Sequence, residues 1–303
     1  MTVNATLDTF FGKPVRDFSH GDRVGDPRAV YRLMQEYEAD ETQEELLAEF
    51  LGQTNLATLD ALVIGSWANG PEESPAGYLE ALIARRAELP ALRALFVGDM
   101  TCEDCEISWI IQTNYAPLLA AFPQLETLRI RGAEQLVVPP FAHASLKELA
   151  IETGGLPDAV VAGIAQSTLP QLEHLELWLG DENYGFGGSI APYADLLARI
   201  DPSRLTYLGL RNATISDEIA EHVARQPWLG RLHTLDLSMG TLGDRGALAL
   251  AASPHIAGLK RLDVRHHYIG DAAIAKLRAL PLELIIDGAE EEDDGERYVQ
   301  VSE

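Results

Sequence analysis

Three stretches near the C-terminal end of this chain repeat one another at a fixed interval. Leu205-Thr-Tyr-Leu208-Gly-Leu210 is followed 27 residues later by Leu232-His-Thr-Leu235-Asp-Leu237, and after another 27 by Leu259-Lys-Arg-Leu262-Asp-Val264. Three further columns keep the same phase: Ile215, Leu242 and Ile269; Asp217, Asp244 and Asp271; Pro227, Pro254 and Pro281. A period of this length means a unit too small to bury its own apolar face. Successive units must therefore stack, and the chain must be elongated along the stacking direction.

The same L-x-x-L-x-L spacing continues upstream at looser intervals, at Leu59/Leu62/Ile64, Leu92/Leu95/Val97, Leu125/Leu128/Ile130, Leu146/Leu149/Ile151 and Leu172/Leu175/Leu177. A shortened copy, Pro281/Leu284/Ile286, closes the series. Nine short strands are expected, about 28 residues apart, the spacing of leucine-rich repeats. Alternate strand residues point to opposite faces, so the leucines enter the core and the residues between them face outward. Each strand should be followed by a loop and a helix, with Asp217, Asp244 and Asp271 at N-cap positions and Pro227 and Pro254 ending the helices. The expected fold is an α/β leucine-rich-repeat solenoid, a horseshoe with a parallel concave sheet and convex α-helices. It should form one structural domain, with an N-terminal cap over 1–55, repeats over 56–287 and an acidic C-terminal tail or cap over 288–303.

Leu242-Gly-Asp-Arg-Gly-Ala-Leu-Ala-Leu-Ala251, followed by Leu259-Lys-Arg-Leu262-Asp-Val264, resembles repeats of the ribonuclease-inhibitor type, which carry a strand and a full α-helix per unit. Phe96-Val-Gly-Asp99, Glu106-Ile-Ser-Trp109, Leu177-Trp-Leu-Gly180 and Arg297-Tyr-Val299 give the whole chain a likeness to an uncharacterised bacterial family of cytoplasmic leucine-rich-repeat proteins. That resemblance implies genes lying beside radical-SAM enzymes of the peptide-modifying kind, and no reaction of the family's own.

The ends do not show the repeat signature. Val30, Leu33, Met34 and Tyr37 fall at helical spacing behind Asp26-Pro27, with a β-hairpin as the competing reading. Glu44 to Leu51 reads as a helix with Leu46, Leu47 and Phe50 on one face. The acidic run Glu290–Glu296 reads as mobile, and Tyr298 and Val301 as an apolar return to the body.

The net charge of −24 argues against duplex nucleic acid or an anionic membrane as a partner, because both demand a basic footprint. Neither a leader segment nor an 18-residue apolar run is evident, so a cytoplasmic protein is expected. Cys102 and Cys105 are the only two cysteines. Zinc would need two more ligands, and the surrounding acids would raise the thiol pKa. The glycines of Asn183–Gly188 do not match a phosphate-binding fingerprint.

Outward strand positions should form rows across the concave sheet. One row runs Gly65, Gly98, Arg131, Glu152, Trp178, Arg211, Ser238, Arg265, Asp287. Another runs Val63, Phe96, Arg129, Ala150, Glu176, Gly209, Asp236, Asp263, Ile285. A tryptophan on an exposed sheet face among arginines has the composition of a binding hot spot, unless Trp178 merely packs on Arg211 or Tyr207. Arg129 and Arg131 beside Glu152 and Glu176 should form an ion-pair ladder, or alternatively bind a carboxylate. A protein or peptide partner is therefore expected at Arg129, Arg131, Glu152, Glu176, Trp178, Tyr207, Arg211 and Arg265, with no cofactor, metal or catalytic residue. An accessory role in a peptide-modification pathway is the second reading. A metal-dependent enzyme using His266 and His267 is the third, though neighbouring residues rarely ligate one ion together.

Overall fold

The computed structural model describes residues 3–35, 42–67 and 73–302. In chain order the elements are β1 Thr9–Phe10, β2 Lys13–Asp17, β3 Val30–Leu33, α1 Gln43–Leu51, β4 Ala61–Ile64, α2 Ala76–Ala84, β5 Ala94–Val97, α3 Ala116–Ala121, β6 Thr127–Arg131 and β7 Glu148–Glu152. They continue with α4 Asp158–Ala165, β8 His174–Gly180, α5 Ala191–Arg199, β9 Tyr207–Ala213, α6 Ser216–Ala224, β10 Thr234–Asp236, α7 Asp244–Ala251, β11 Arg261–Asp263, α8 Asp271–Arg278 and β12 Glu283–Ile285. The strands lie side by side in chain order in one twelve-stranded sheet. Among these strands β1 and β2 pair antiparallel, and the other strand pairs are parallel. Helices stack on one another behind the sheet, α6 on α7 and α7 on α8 among them. This open arrangement is the α/β leucine-rich-repeat solenoid that the period requires.

The leucine column is in exact register. Leu62, Leu95, Leu128, Leu149, Leu175, Leu208, Leu235 and Leu262 pair strand to strand, and each is at most 1% exposed. Each such side chain contributes roughly 2 kcal/mol by leaving water, and does so only because the next repeat covers it.

Four expectations need correcting. Val30–Leu33 is neither helix nor hairpin but a parallel strand, and Tyr37 lies outside the described residues. Both faces of β3 are buried: Tyr31 and Leu33 enter the main core, while Val30 joins a second cluster on the other side of the sheet. Apolar residues on both faces break the alternation and mimic helical spacing. Second, no helix lies between β6 and β7. Twenty-one residues separate Leu125 from Leu146, and the connection instead makes isolated bridges at Glu134, Val137 and Ala142.

Third, the aspartates are not N-caps. Ile215, Gly243 and Gly270 hold those positions. Asp217 Oδ1 accepts the amides of Gly243 and Gly246 at 2.9 and 2.8 Å, and Asp244 Oδ1 accepts that of Gly270 at 2.7 Å. Each carboxylate therefore caps the helix of the following repeat, tying units together at the amides a helix start leaves unpaired. Fourth, the acidic run is anchored. Asp293 and Glu296 bridge antiparallel around Asp294 and Gly295, and Glu290 N donates to His267 O. Helix α1 does bury Leu46, Leu47 and Phe50 together.

Asp217→Ala should lower stability by about 1–2 kcal/mol, as loss of a helix cap does. Asp271→Ala, in a helix with none after it, should cost less. Urea unfolding midpoints of the two variants check this.

Candidate functional site

The concave rows lie where the spacing puts them. Val63, Phe96, Arg129, Ala150, Glu176, Gly209, Asp236, Asp263 and Ile285 are successive partners across the sheet. Arg131 pairs with Glu152, and Trp178 with Arg211.

The row does not present one continuous open surface. At its N-terminal third, Phe10 packs with Val30, Ala61, Val63, Ala94 and Phe96, and Leu7 and Val15 close over them. The ring of Phe10 sits 6.1 Å from that of Phe96. The chain thus covers the apolar part of its own concave face with the segment that leads into β1 and β2.

From there a chain of alternating charges crosses the sheet. Asp17 accepts from Arg32 Nε at 2.6 Å, and Arg32 Nη1 donates to Asp99 at 2.9 Å. Asp99 stands 3.6 Å from Arg131 Nη1, which also donates to the Met100 carbonyl at 2.6 Å. Arg131 Nε donates to Glu152 at 2.8 Å, and the other oxygen of Glu152 accepts from Arg129 Nε. Arg129 lies 4.0 Å from Glu176, which takes 2.7 Å bonds from Arg211 Nη1 and from Trp178 Nε1. Arg211 Nε is 3.4 Å from Asp236, and Asp236 accepts the Tyr207 hydroxyl at 2.8 Å. Arg265 makes its own pair with Asp263 at 2.7 Å. Glu152, Glu176, Arg131 and Asp99 are buried within this chain.

Trp178 is not the exposed hot spot its position suggests. It is 8% exposed, lies 5.1 Å beneath the Arg211 guanidinium and spends its N–H on Glu176. Arg129 and Arg131 likewise sit over the Phe96 ring at 5.7 and 5.3 Å. His174 stacks on Tyr207 with ring centroids 3.9 Å apart. What reaches solvent is the upper layer: Arg129, His174, Tyr207 and Arg211, half-buried, and Arg265, exposed. Arg32, Asp17, Asp99 and His174 belong to this network but escaped the sequence reading. Arg32 and Asp17 lie on strands without the leucine signature, and Asp99 lies beyond the end of its strand.

The remaining candidates stand apart from this network. His267 Nδ1 accepts the Ile269 amide, and its Nε2 faces the Ile286 carbonyl. His266 lies in the left-handed region at φ +58°. Among the described residues no group of three His, Cys, Asp or Glu could hold a metal ion. Both cysteines are free, and burial, with Glu106 and Asp104 beside it, pushes the Cys105 thiol up. No described helix is long and apolar enough to cross a membrane.

A family profile described as Leucine Rich repeat matches residues 232–251, the span of β10 and α7. The crystal structure of a Bacteroides fragilis protein is similar over 86% of this chain and 75% of that one, with 31% identity and a TM-score of 0.79. The chain belongs to the leucine-rich-repeat family. An internalin (inlF) from Listeria monocytogenes shares 17% identity over 86% of this chain and 67% of that one, with a TM-score of 0.37. Among curated proteins none matches.

In this leucine-rich-repeat protein the charges hold one another ionised. Burial pushes the Glu152 carboxyl up, but Arg129 and Arg131 reverse the effect and hold it below the ordinary range. Burial acts likewise on Glu176, and His174, Arg211, Arg129 and Trp178 together bring it far down. Burial raises the Tyr207 hydroxyl, and Glu176 and Asp236 raise it further, so it remains a neutral donor.

Glu176→Gln should destabilise the protein by about 3–5 kcal/mol at neutral pH, because Arg129 and Arg211 lose a buried counter-charge. The folded pKa of Glu176 lies below its unfolded value of about 4.3. Its contribution is therefore complete above that pH and lost as the pH falls below it. The gap between wild type and variant should narrow below pH 4, as denaturant titrations at several pH values would show.

Proposed function

We propose that this leucine-rich-repeat protein binds a polypeptide partner on the middle of its concave face, across β6 to β11. One observation carries the reading: Arg129, His174, Tyr207, Arg211 and Arg265 form a partly exposed layer, each held by a buried or neighbouring carboxylate. Arginine and tyrosine are the residue types that dominate binding energy at protein interfaces. Side chains already fixed lose little rotamer freedom on binding, so more of each contact survives as affinity. Arg131, Glu152, Glu176 and Trp178 lie beneath and act as the support that orients the layer.

The layer is chemically one-sided. Its part-exposed side chains are arginines, an imidazole and a phenol, while Glu152, Glu176, Asp236 and Asp263, which pair with them, are buried. It therefore suits a partner presenting carbonyls or carboxylates, although the chain as a whole is strongly acidic. The resemblance to repeat proteins encoded beside radical-SAM enzymes supplies one candidate partner, an enzyme of peptide modification.

A photo-cross-linking residue at Tyr207, compared in cells with one at Leu248 on α7, tests the reading. A discrete adduct at Tyr207 that is missing at Leu248 and lost in Arg211→Ala supports it. Equal adducts at both positions, or none at Tyr207, would overturn it.

A further inference from the structure

The chain ends its described course by folding back along the rim formed by the turns that follow the strands. From Arg297 to Ser302 it passes the repeats in reverse order, meeting Tyr268, then Met239, then Asn212, then Gly154 and Ser108. From Tyr298 to Ser302 the hydrogen bonds to these repeats are made by its backbone. The Tyr268 hydroxyl accepts the Tyr298 amide at 2.9 Å and donates to the Tyr298 carbonyl at 3.1 Å. The Gln300 amide donates to Met239 O at 2.8 Å. The Asn212 carboxamide accepts the Val301 amide at 2.9 Å and donates to the Val301 carbonyl. Ser108 Oγ donates to the Ser302 carbonyl.

Only alternate side chains are buried. Val299 and Val301 face inward, Tyr298 is largely exposed, and Arg297 lies over the Tyr268 ring and 3.6 Å from Asp217. The rim is shaped for a strand: a Cβ on Gly154 would meet Ser302 O at 2.4 Å. Asn212 is fully buried in the left-handed region at φ +53°, and both ends of its carboxamide are committed to the strand. In an empty groove that amide would exchange these bonds for water, and another extended backbone could restore both of them.

We propose that this rim is a second binding site, specific for an extended polypeptide segment with an arginine followed by aliphatic residues at alternate positions, and that residues 297–302 occupy it in cis as a competitor. Backbone bonds give such a site affinity with little sequence demand, and the two aliphatic positions and the arginine give it preference. The linker 288–296 is exposed and held to the last repeats at Ala289 and Glu290, so the strand beyond its turn at Asp294-Gly295 can leave while that anchor stays. A tethered competitor acts at an effective concentration on the order of 1 mM, so a groove with a Kd of about 10–100 μM for the free segment would be masked roughly 10- to 100-fold. The site is separate from the concave layer around Tyr207, and either can fail alone.

The test uses the full chain and a fluorescent peptide Gly-Glu-Arg-Tyr-Val-Gln-Val-Ser. Fluorescence polarisation should show the Val299→Asp/Val301→Asp variant binding it at least tenfold more tightly than wild type. Adding Tyr268→Phe should weaken binding several-fold, and a peptide with aspartate at both valine positions should not bind. Equal affinity for wild type and variant, or no binding to either, overturns the proposal. A wild-type dimer that the valine substitutions dissolve overturns it too, by making a second copy the occupant. Should the variant not fold, hydrogen exchange on wild type decides. Peptide at millimolar concentration should accelerate exchange of the Gln300 and Val301 amides, and unchanged protection refutes the exchange of occupants.

Discussion

Every repeat in this molecule is completed by its neighbour. The leucine of one strand is covered by the leucine of the next, and the amides opening one helix are capped by the aspartate of the helix before it. Stability is therefore distributed along the stack, and neighbour coupling, not a central core, makes it cooperative. The ends are where this logic breaks down, since a terminal repeat has one neighbour too few. At one end β2 and β1 extend the sheet and Phe10 and Leu7 pack on its outward apolar residues, and at the other the chain returns along the rim.

The charge chain on the concave side follows from the same geometry. Parallel strands about 4.8 Å apart place outward residues of neighbouring repeats in contact. A row of arginines alone would repel, and a row of glutamates would too. Alternation from Asp17 through Arg32, Asp99, Arg131, Glu152, Arg129, Glu176 and Arg211 to Asp236 lets each charge be shared by two partners. Such a network gains little over an apolar one in stability, because desolvation offsets attraction. What it adds is fixed orientation: a guanidinium bonded to two carboxylates and lying on an indole has few other rotamers available.

The sequence pattern carried the register of the nine leucine strands and the outward row from Val63 to Ile285, because an inward leucine at a wrong register would face water. It could not carry what covers the outward residues. Trp178 stands on the outward face as its position requires, yet Arg211 from the next strand lies over it. Periodicity names the face of a side chain and is silent on its neighbour's length. Val30–Leu33 was illegible for the opposite reason: burial on both faces erased the alternation that marks a strand. The 27-residue aspartate column was visible, but a period cannot tell whether a carboxylate serves its own helix or the next.

The rim contacts of Arg297–Ser302 leave still less trace, because they join residues 89 and 194 positions apart through backbone atoms. Their one local sign is a column of non-glycine residues in the left-handed region, Asn212, Met239 and His266, spaced 27 apart. Asn212 lies at the end of β9, and Met239 and His266 just past β10 and β11, and such conformations cost free energy for residues with a side chain. A repeat that needed only to turn could use glycine there. Asn212 instead presents a side-chain carboxamide to the passing strand, so at that position the backbone cost is matched to recognition of a chain that runs across the repeats.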